Sequence, residues 1–195
     1  MPYVDAKDYL RALNWNELED EMDLLVWNRV NTNLWLPERV ALSQDKTPWR
    51  SDLTDKERLT TMRVFVGLTL FDTEQSEIGV EELKKHVITP HEDHVLNQFG
   101  YMESVHTRTY SSIFMTLAST AMITQAYEWS YQNDCLQKKA RLIKEVYETN
   151  DPFKVRIASV FLESFVFYSG FYWPLYLLTR NTMTQTGTAI KLIIR

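Results

Sequence analysis

Apolar positions recur every three or four residues along most of the chain, and the polar positions that interrupt them fall where helices begin and end. Thr54-Asp55-Lys56-Glu57 is a capping box, in which the Thr54 hydroxyl and the Glu57 carboxylate satisfy each other's free backbone N–H groups. It opens an apolar helix to about Gly79. Thr89-Pro90-His91-Glu92 carries the same signature, with proline at the first helical position, and opens a helix to about Ala118. Asp151-Pro152 opens a third long helix, to about Leu178. Two amphipathic stretches, about Ile123–Asn133 and Leu136–Tyr147, lie between the second and third. An earlier helix covers about Asn16–Val30. Leu36–Asp52, with Pro37 and Pro48, reads as an irregular connection. The last residues, Ala189-Ile190-Lys191-Leu192-Ile193-Ile194-Arg195, read as a helix cut before its end. No segment alternates with the period of a strand, so the pattern predicts an all-α protein. Its three long helices run to roughly 25–30 residues, against a mean of about 11–12.

Composition agrees. Gly (5) and Pro (6) are too scarce among 195 residues for the turns of a sandwich or barrel. The 45% hydrophobic content supports one domain over 1–195 with a real core. Ile157–Leu178 is long enough to span a bilayer, but its serines and tyrosines and the central Glu163 favour a helix buried all round in a bundle. A net charge of −5 points to neither a nucleic-acid nor a membrane partner. The single Cys135 excludes an internal disulfide and a Cys-based zinc cage. Met1-Pro2-Tyr3-Val4-Asp5 lacks the basic and apolar segments of a signal peptide, so a cytoplasmic protein is expected.

Three carboxylates interrupt apolar helical sequence: Asp72, Glu103 and Glu163. A buried carboxylate must be neutral, paired with a cation or bound to metal. Singly, each is explained by exposure at a helix seam, or by a partner such as Arg108 or Arg156. Glu103-Ser104-Val105-His106 changes the balance. Its acid and imidazole lie three apart on one helix face, the Glu-x-x-His element that four-helix di-metal carboxylate proteins place in their cores. Carboxylate and imidazole together suit iron or manganese. Tyr110 projects from the same face, four residues after His106. It is either a radical-forming neighbour of a metal pair or a buried tyrosine with a hydrogen-bonded hydroxyl. His86, His91 and His94 cluster without zincin spacing and read as a solvated helix start. Cys135 lies in a polar stretch and receives no role.

Four segments carry a family resemblance: Asn28–Glu38, Met62–Thr73, Tyr101–Ser112 and Ile157–Phe171. On them the chain resembles the small, radical-generating (β) subunit of class I ribonucleotide reductase, most closely class Ib. The resemblance implies a ferritin-like bundle around a di-iron or di-manganese centre. Oxygen chemistry there makes a tyrosyl radical, which is relayed to a cysteine of a separate large subunit that reduces ribonucleotides. By correspondence, Asp72, Glu103 and His106 are metal ligands, Glu163 serves the second metal, Tyr110 bears the radical, and Trp35 is the tryptophan of the transfer path, hydrogen-bonded toward His106. Manganese-using members are activated through a flavodoxin-like partner, and the family is dimeric. One departure stands out. The family carries a second Glu-x-x-His on a fourth core helix, just after sequence resembling Ile190–Arg195, and this chain has only the Glu103 element. The expectation is therefore an N-terminal portion with a truncated fourth core helix, functional when a complementing C-terminal chain supplies the missing ligands. The alternatives are a non-catalytic helical assembly fragment and another ferritin-like di-metal oxidase.

Overall fold

The computed structural model describes residues 12–195, so the reading of Met1–Asp5 lies outside it. Helix α1 (Glu21–Thr32) is followed by two 3₁₀ turns, Pro37–Arg39 and Leu42–Asp45, and by α2 (Lys46–Ser51). Helix α3 (Asp55–Glu74) passes through a π turn, Gln75–Gly79, into α4 (Val80–Lys84). Then come α5 (Pro90–Leu117), α6 (Thr120–Gln132) and α7 (Asp134–Tyr147). Helix α8 (Pro152–Phe161) runs through a second π turn, Leu162–Val166, into α9 (Phe167–Thr179), and α10 (Thr184–Ile194) follows. No strand occurs among the described residues. The all-α expectation holds.

The caps explain most boundaries. Both halves of the Thr54–Glu57 box form, at 3.2 and 2.8 Å. The second box is only half made. Thr89 accepts from the Glu92 N–H at 2.9 Å, but the Glu92 carboxylate takes the Ile88 N–H and the Arg156 guanidinium instead. That exchange ties the start of α5 to α8. The first helix starts at Glu21 rather than near Asn16, because Asp20 is the residue that caps it. The Leu36–Asp52 segment is more ordered than expected, folding into two 3₁₀ turns and α2.

Helix α3 packs against α5, α6 and α9 at the centre. Phe65 stacks on Tyr110 at 5.8 Å, and Phe71 meets Phe167 edge-on at 6.3 Å. Burying each such ring contributes roughly 1.5–3 kcal/mol. α9 comes close enough to α3 that a Cβ on Gly170 would lie 2.6 Å from Leu68. One expectation fails here. The α8–α9 helix is not buried all round: Phe161, Phe165 and Tyr172 are 52%, 65% and 69% exposed. An apolar surface of this kind marks an association face. Among the described residues, no helix is long and apolar enough to cross a membrane.

Helix α10 is capped from a distance. Its own N-terminal flank, Met183, sits in the left-handed region at φ 55° and offers no side-chain cap. The buried Asp45 substitutes, accepting from the Gln185 N–H at 3.1 Å and the Thr186 N–H at 2.6 Å. Asp45→Ala is expected to destabilise the chain by about 2 kcal/mol, a fall in Tm of roughly 4–8 °C at this length. Asp45→Asn, which keeps one acceptor, should lose less. Thermal unfolding of both variants, with amide exchange at Gln185 and Thr186, checks this. Equal Tm values for Asp45→Ala and the unsubstituted chain would refute the capping role.

Candidate metal centre

Asp72 lies near the end of α3, three residues before its π turn, while Glu103, His106 and Tyr110 line one face of α5. The α3–α5 packing turns these two faces together inside the core. One ligand atom each from Asp72, Glu103 and His106 falls within a sphere of mutual separations no larger than 4.8 Å. The three are 1%, 7% and 8% exposed. His106 Nδ1 lies 3.1 Å from Glu103 Oε2. Neither arginine considered for the buried acids pairs with them: Arg108 goes to Glu38 and Arg156 to Glu92.

Glu163 stands apart from this tight group. Its π turn sets it on the wall of a cavity of about 600 Å³ that also contains Glu103, His106, Gln75 and Ser159. Its side chain reaches solvent there, unlike those of the other two acids.

The electrostatics fit a site built for positive charge. Burial first, and then repulsion from Glu103 and Glu163, push Asp72 well above the usual carboxylate range. Burial and Glu103 push Glu163 up to about 8, while the open side gives it solvent that Asp72 lacks. Asp72 Oδ2 and His106 Nε2 are buried without hydrogen-bond partners. Native structures rarely leave such groups unsatisfied, and a cation is one standard remedy.

Tyr110 is fully buried, and among the described residues its hydroxyl also has no partner within hydrogen-bond geometry. Its proton is held strongly, by burial first and by the facing Asp72 and Glu103 next. Trp35 is buried as expected, but among the described residues no hydrogen bond joins it to His106 and its Nε1 has no partner. The histidine cluster is not a solvated helix start throughout. His91 is buried, its Nε2 on the Asn14 carbonyl and its ring 4.7 Å from Trp15, whereas His94 is exposed.

Sequence reasoning missed one buried polar group beside this centre. Gln75 is 4% exposed, accepts from the Tyr147 hydroxyl at 2.5 Å, and donates to Ser159 Oγ at 3.0 Å. Little signal was available, since Gln75 stands in the polar run Thr73-Glu74-Gln75-Ser76-Glu77, three residues after Asp72.

Comparison with known proteins agrees with this arrangement. A sequence model of the family described as "Ribonucleotide reductase, small chain" matches residues 12–195. The "Ribonucleoside-diphosphate reductase 2 subunit beta" of Escherichia coli (strain K12) is 52% identical over 186 residues, 95% of this chain and 58% of that one. The "Ribonucleoside-diphosphate reductase subunit beta" of Mycobacterium leprae (strain TN) is 49% identical, over 96% of this chain and 58% of that one. The crystal structure of Streptococcus sanguinis dimanganese(II)-NrdF superposes with a TM-score of 0.93 at 47% identity, covering 96% of this chain and 66% of that one. This chain thus spans just under three fifths of the length of the curated relatives named here. The ferritin-like bundle expected from the resemblance is the fold observed, and the chain belongs to the ribonucleotide reductase small-chain family, on its class Ib side.

Proposed function

We propose that this chain is the N-terminal portion of a ribonucleotide reductase small subunit that starts the reduction of ribonucleotides in a large subunit. Asp72, Glu103 and His106, with Glu163 for a second ion, would hold a pair of iron or manganese ions, and Tyr110 would carry the radical. The observation that carries this reading is the set of orphaned buried atoms on Asp72, His106 and Tyr110, in a cluster whose acids pair with no lysine or arginine among the described residues. Carboxylate and imidazole donors of this kind fit either metal.

A pair of iron or manganese ions held by these residues and oxidised through oxygen chemistry would supply the oxidising power for Tyr110 to lose an electron and a proton. The chain's own residues do the rest. Of the surrounding acids, Asp72 acts most strongly on the Tyr110 hydroxyl, and it is the candidate to receive its proton. Full burial of Tyr110 keeps water and small reductants from the oxidised ring. The indole N–H of Trp35 is buried without an acceptor among the described residues. On this reading, the remaining ligands come from the part of the relatives that this chain does not span, whether in continuation or on a separate complementing chain. A second copy, the large subunit and, for manganese, a flavodoxin-like activator complete the assembly in the cytoplasm. The exposed aromatic face of α8–α9 offers a surface for such association. A ferritin-like oxidase acting on a small substrate would leave the buried Trp35 and the Tyr110 spacing without purpose.

Mixing the chain with a polypeptide matching the remaining part of its relatives tests the proposal. The expected result is a stoichiometric complex with two metals per site and a tyrosyl radical signal by electron paramagnetic resonance. Radical formation by the 195-residue chain alone would remove the need for the complement. A complex that binds no metal would favour the assembly-fragment reading.

A further inference from the structure

An apolar stripe faces outward along α8 and α9. Phe153, Ile157, Phe161, Phe165, Tyr168 and Tyr172 recur every three or four residues and are 51–72% exposed. Phe161 stacks on Phe165 at 5.0 Å at the π turn, and Tyr172 stacks on Tyr176 at 6.2 Å beyond it, so the stripe runs unbroken from one helix into the next. At a rise of 1.5 Å per residue it is about 30 Å long. With roughly 150–250 Å² for each large ring, its exposed part is on the order of 700 Å². That exceeds the largest apolar patch of an ordinary monomer, about 300–600 Å², and approaches the roughly 800 Å² that each partner contributes to a stable interface. Across Pro152–Thr179 the charged residues are Lys154, Arg156 and Glu163, and Arg156 is engaged by Glu92. The stripe therefore fits an apolar helical face rather than a charged ligand.

Two observations identify the occupant. Val160, exposed beside Ile157 and Phe161, also lines the cavity that holds Glu103, His106 and Glu163. Stripe and cavity thus meet, and a polypeptide that fills the cavity lies against the stripe. The matched 186 residues are 58% of the Escherichia coli relative, which leaves more than a hundred of its residues unmatched, several times the length of the stripe. A second copy of this chain fits less well. Seated on Val160, it would crowd the mouth of the cavity and obstruct the residues that must enter it.

We propose that the α8–α9 stripe is the docking surface for the complementing polypeptide, and that docking requires no metal. The contact is apolar, so it forms before any ion binds and brings the remaining ligands to the cavity. The identity of the partner rests on the reading of this chain as one portion of a small subunit, whereas the ligands assigned in that reading play no part in the contact.

A polypeptide with the sequence of the unmatched part of the Escherichia coli relative is the probe. Co-expressed with the full 195-residue chain and purified in EDTA, it should form a one-to-one complex by analytical ultracentrifugation. Phe165→Ser and Tyr172→Ser should each raise the dissociation constant by at least about thirtyfold, as central aromatic anchors do. Leu142→Ser, at an exposed position of α7, should leave it unchanged. Far-UV circular dichroism confirms that the variants fold. Hydrogen exchange gives a reading that needs no variant: amides over Phe161–Tyr172 should exchange more slowly in the complex than in the free chain. Absence of a complex, a complex that forms only with Mn(II), or equal affinity of all three variants would each overturn the proposal. So would a homodimer of the chain that Phe165→Ser dissolves while the probe binds with parental affinity, since the stripe would then belong to a second copy. A metal-free complex seated on the stripe that gains no metal when Mn(II) is added would instead remove the ligand assignment and leave the docking surface standing.

Discussion

Asp72→Asn is expected to raise the thermal stability of the metal-free chain while removing most of its affinity for Mn(II) or Fe(II). The two effects have one cause. Asp72 is 1% exposed, and burial first, then Glu103 and Glu163, favour its protonated form in the fold. Its folded pKa lies above the unfolded value of 3.8, so the folded chain binds more protons than the unfolded chain between the two. Stability is therefore full below the unfolded pKa and falls as pH rises through the folded one. Glu163 acts in the same direction from 4.5 to about 8, weakened by its access to solvent. The metal-free Tm should decline steadily from about pH 5 to pH 8. Asparagine removes the Asp72 contribution and should recover roughly 2 kcal/mol at pH 8, or about 4–8 °C. It also deletes an anionic ligand, whose loss should exceed the about 10–100-fold effect of outer groups. Saturating Mn(II) should raise the Tm of the unsubstituted chain and flatten its pH slope, since a bound cation reverses the local preference for protons. Scanning calorimetry across pH, with and without metal, reads both effects. A variant that unfolds earlier than the parent at pH 8 and still binds metal would make the acidic cluster a structural feature.

This opposition explains why the site was readable before the fold was known. Asp72, Glu103 and Glu163 each break an apolar run, a choice that costs stability and so calls for a compensating role. Glu103, His106 and Tyr110 converge because α5 is a regular helix, and 3.6 residues per turn carries their spacing directly into three dimensions. Glu163 was harder. It sits in a π turn, where the helical period breaks, so spacing along α8–α9 could not place it against Glu103. Asp45 and Gln75 were missed for another reason. Each acts on a residue far along the chain: Asp45 on Thr186, and Gln75 on Tyr147 and Ser159. Helix periodicity carries no record of such pairs. The apolar α8–α9 sequence was read as buried all round because composition reports the preference of a side chain for an apolar neighbour. Which neighbour covers Phe165 or Tyr172 is a matter of what packs there.

Tyr110→Phe should abolish the radical of the assembled subunit completely, while two metals per site remain bound. A phenyl ring has no hydroxyl proton to lose at this potential, so no partial activity is expected. The same substitution tests the fold. Phenylalanine keeps the stacking on Phe65 at 5.8 Å and deletes a buried hydroxyl that has no hydrogen-bond partner. Removing an unsatisfied buried polar group is neutral or stabilising, by up to about 1 kcal/mol. Tm should therefore hold or rise slightly. Tyr147→Phe makes the identical chemical change at the other fully buried tyrosine and should give the opposite pattern. It breaks a 2.5 Å hydrogen bond and leaves Gln75 Oε1 unpaired in the core, so stability falls by about 1–3 kcal/mol and Tm falls with it, while a radical still forms on Tyr110. Electron paramagnetic resonance, metal analysis and calorimetry on the two variants side by side separate a redox tyrosine from a structural one. A radical that survives in Tyr110→Phe and vanishes in Tyr147→Phe would exchange the two assignments.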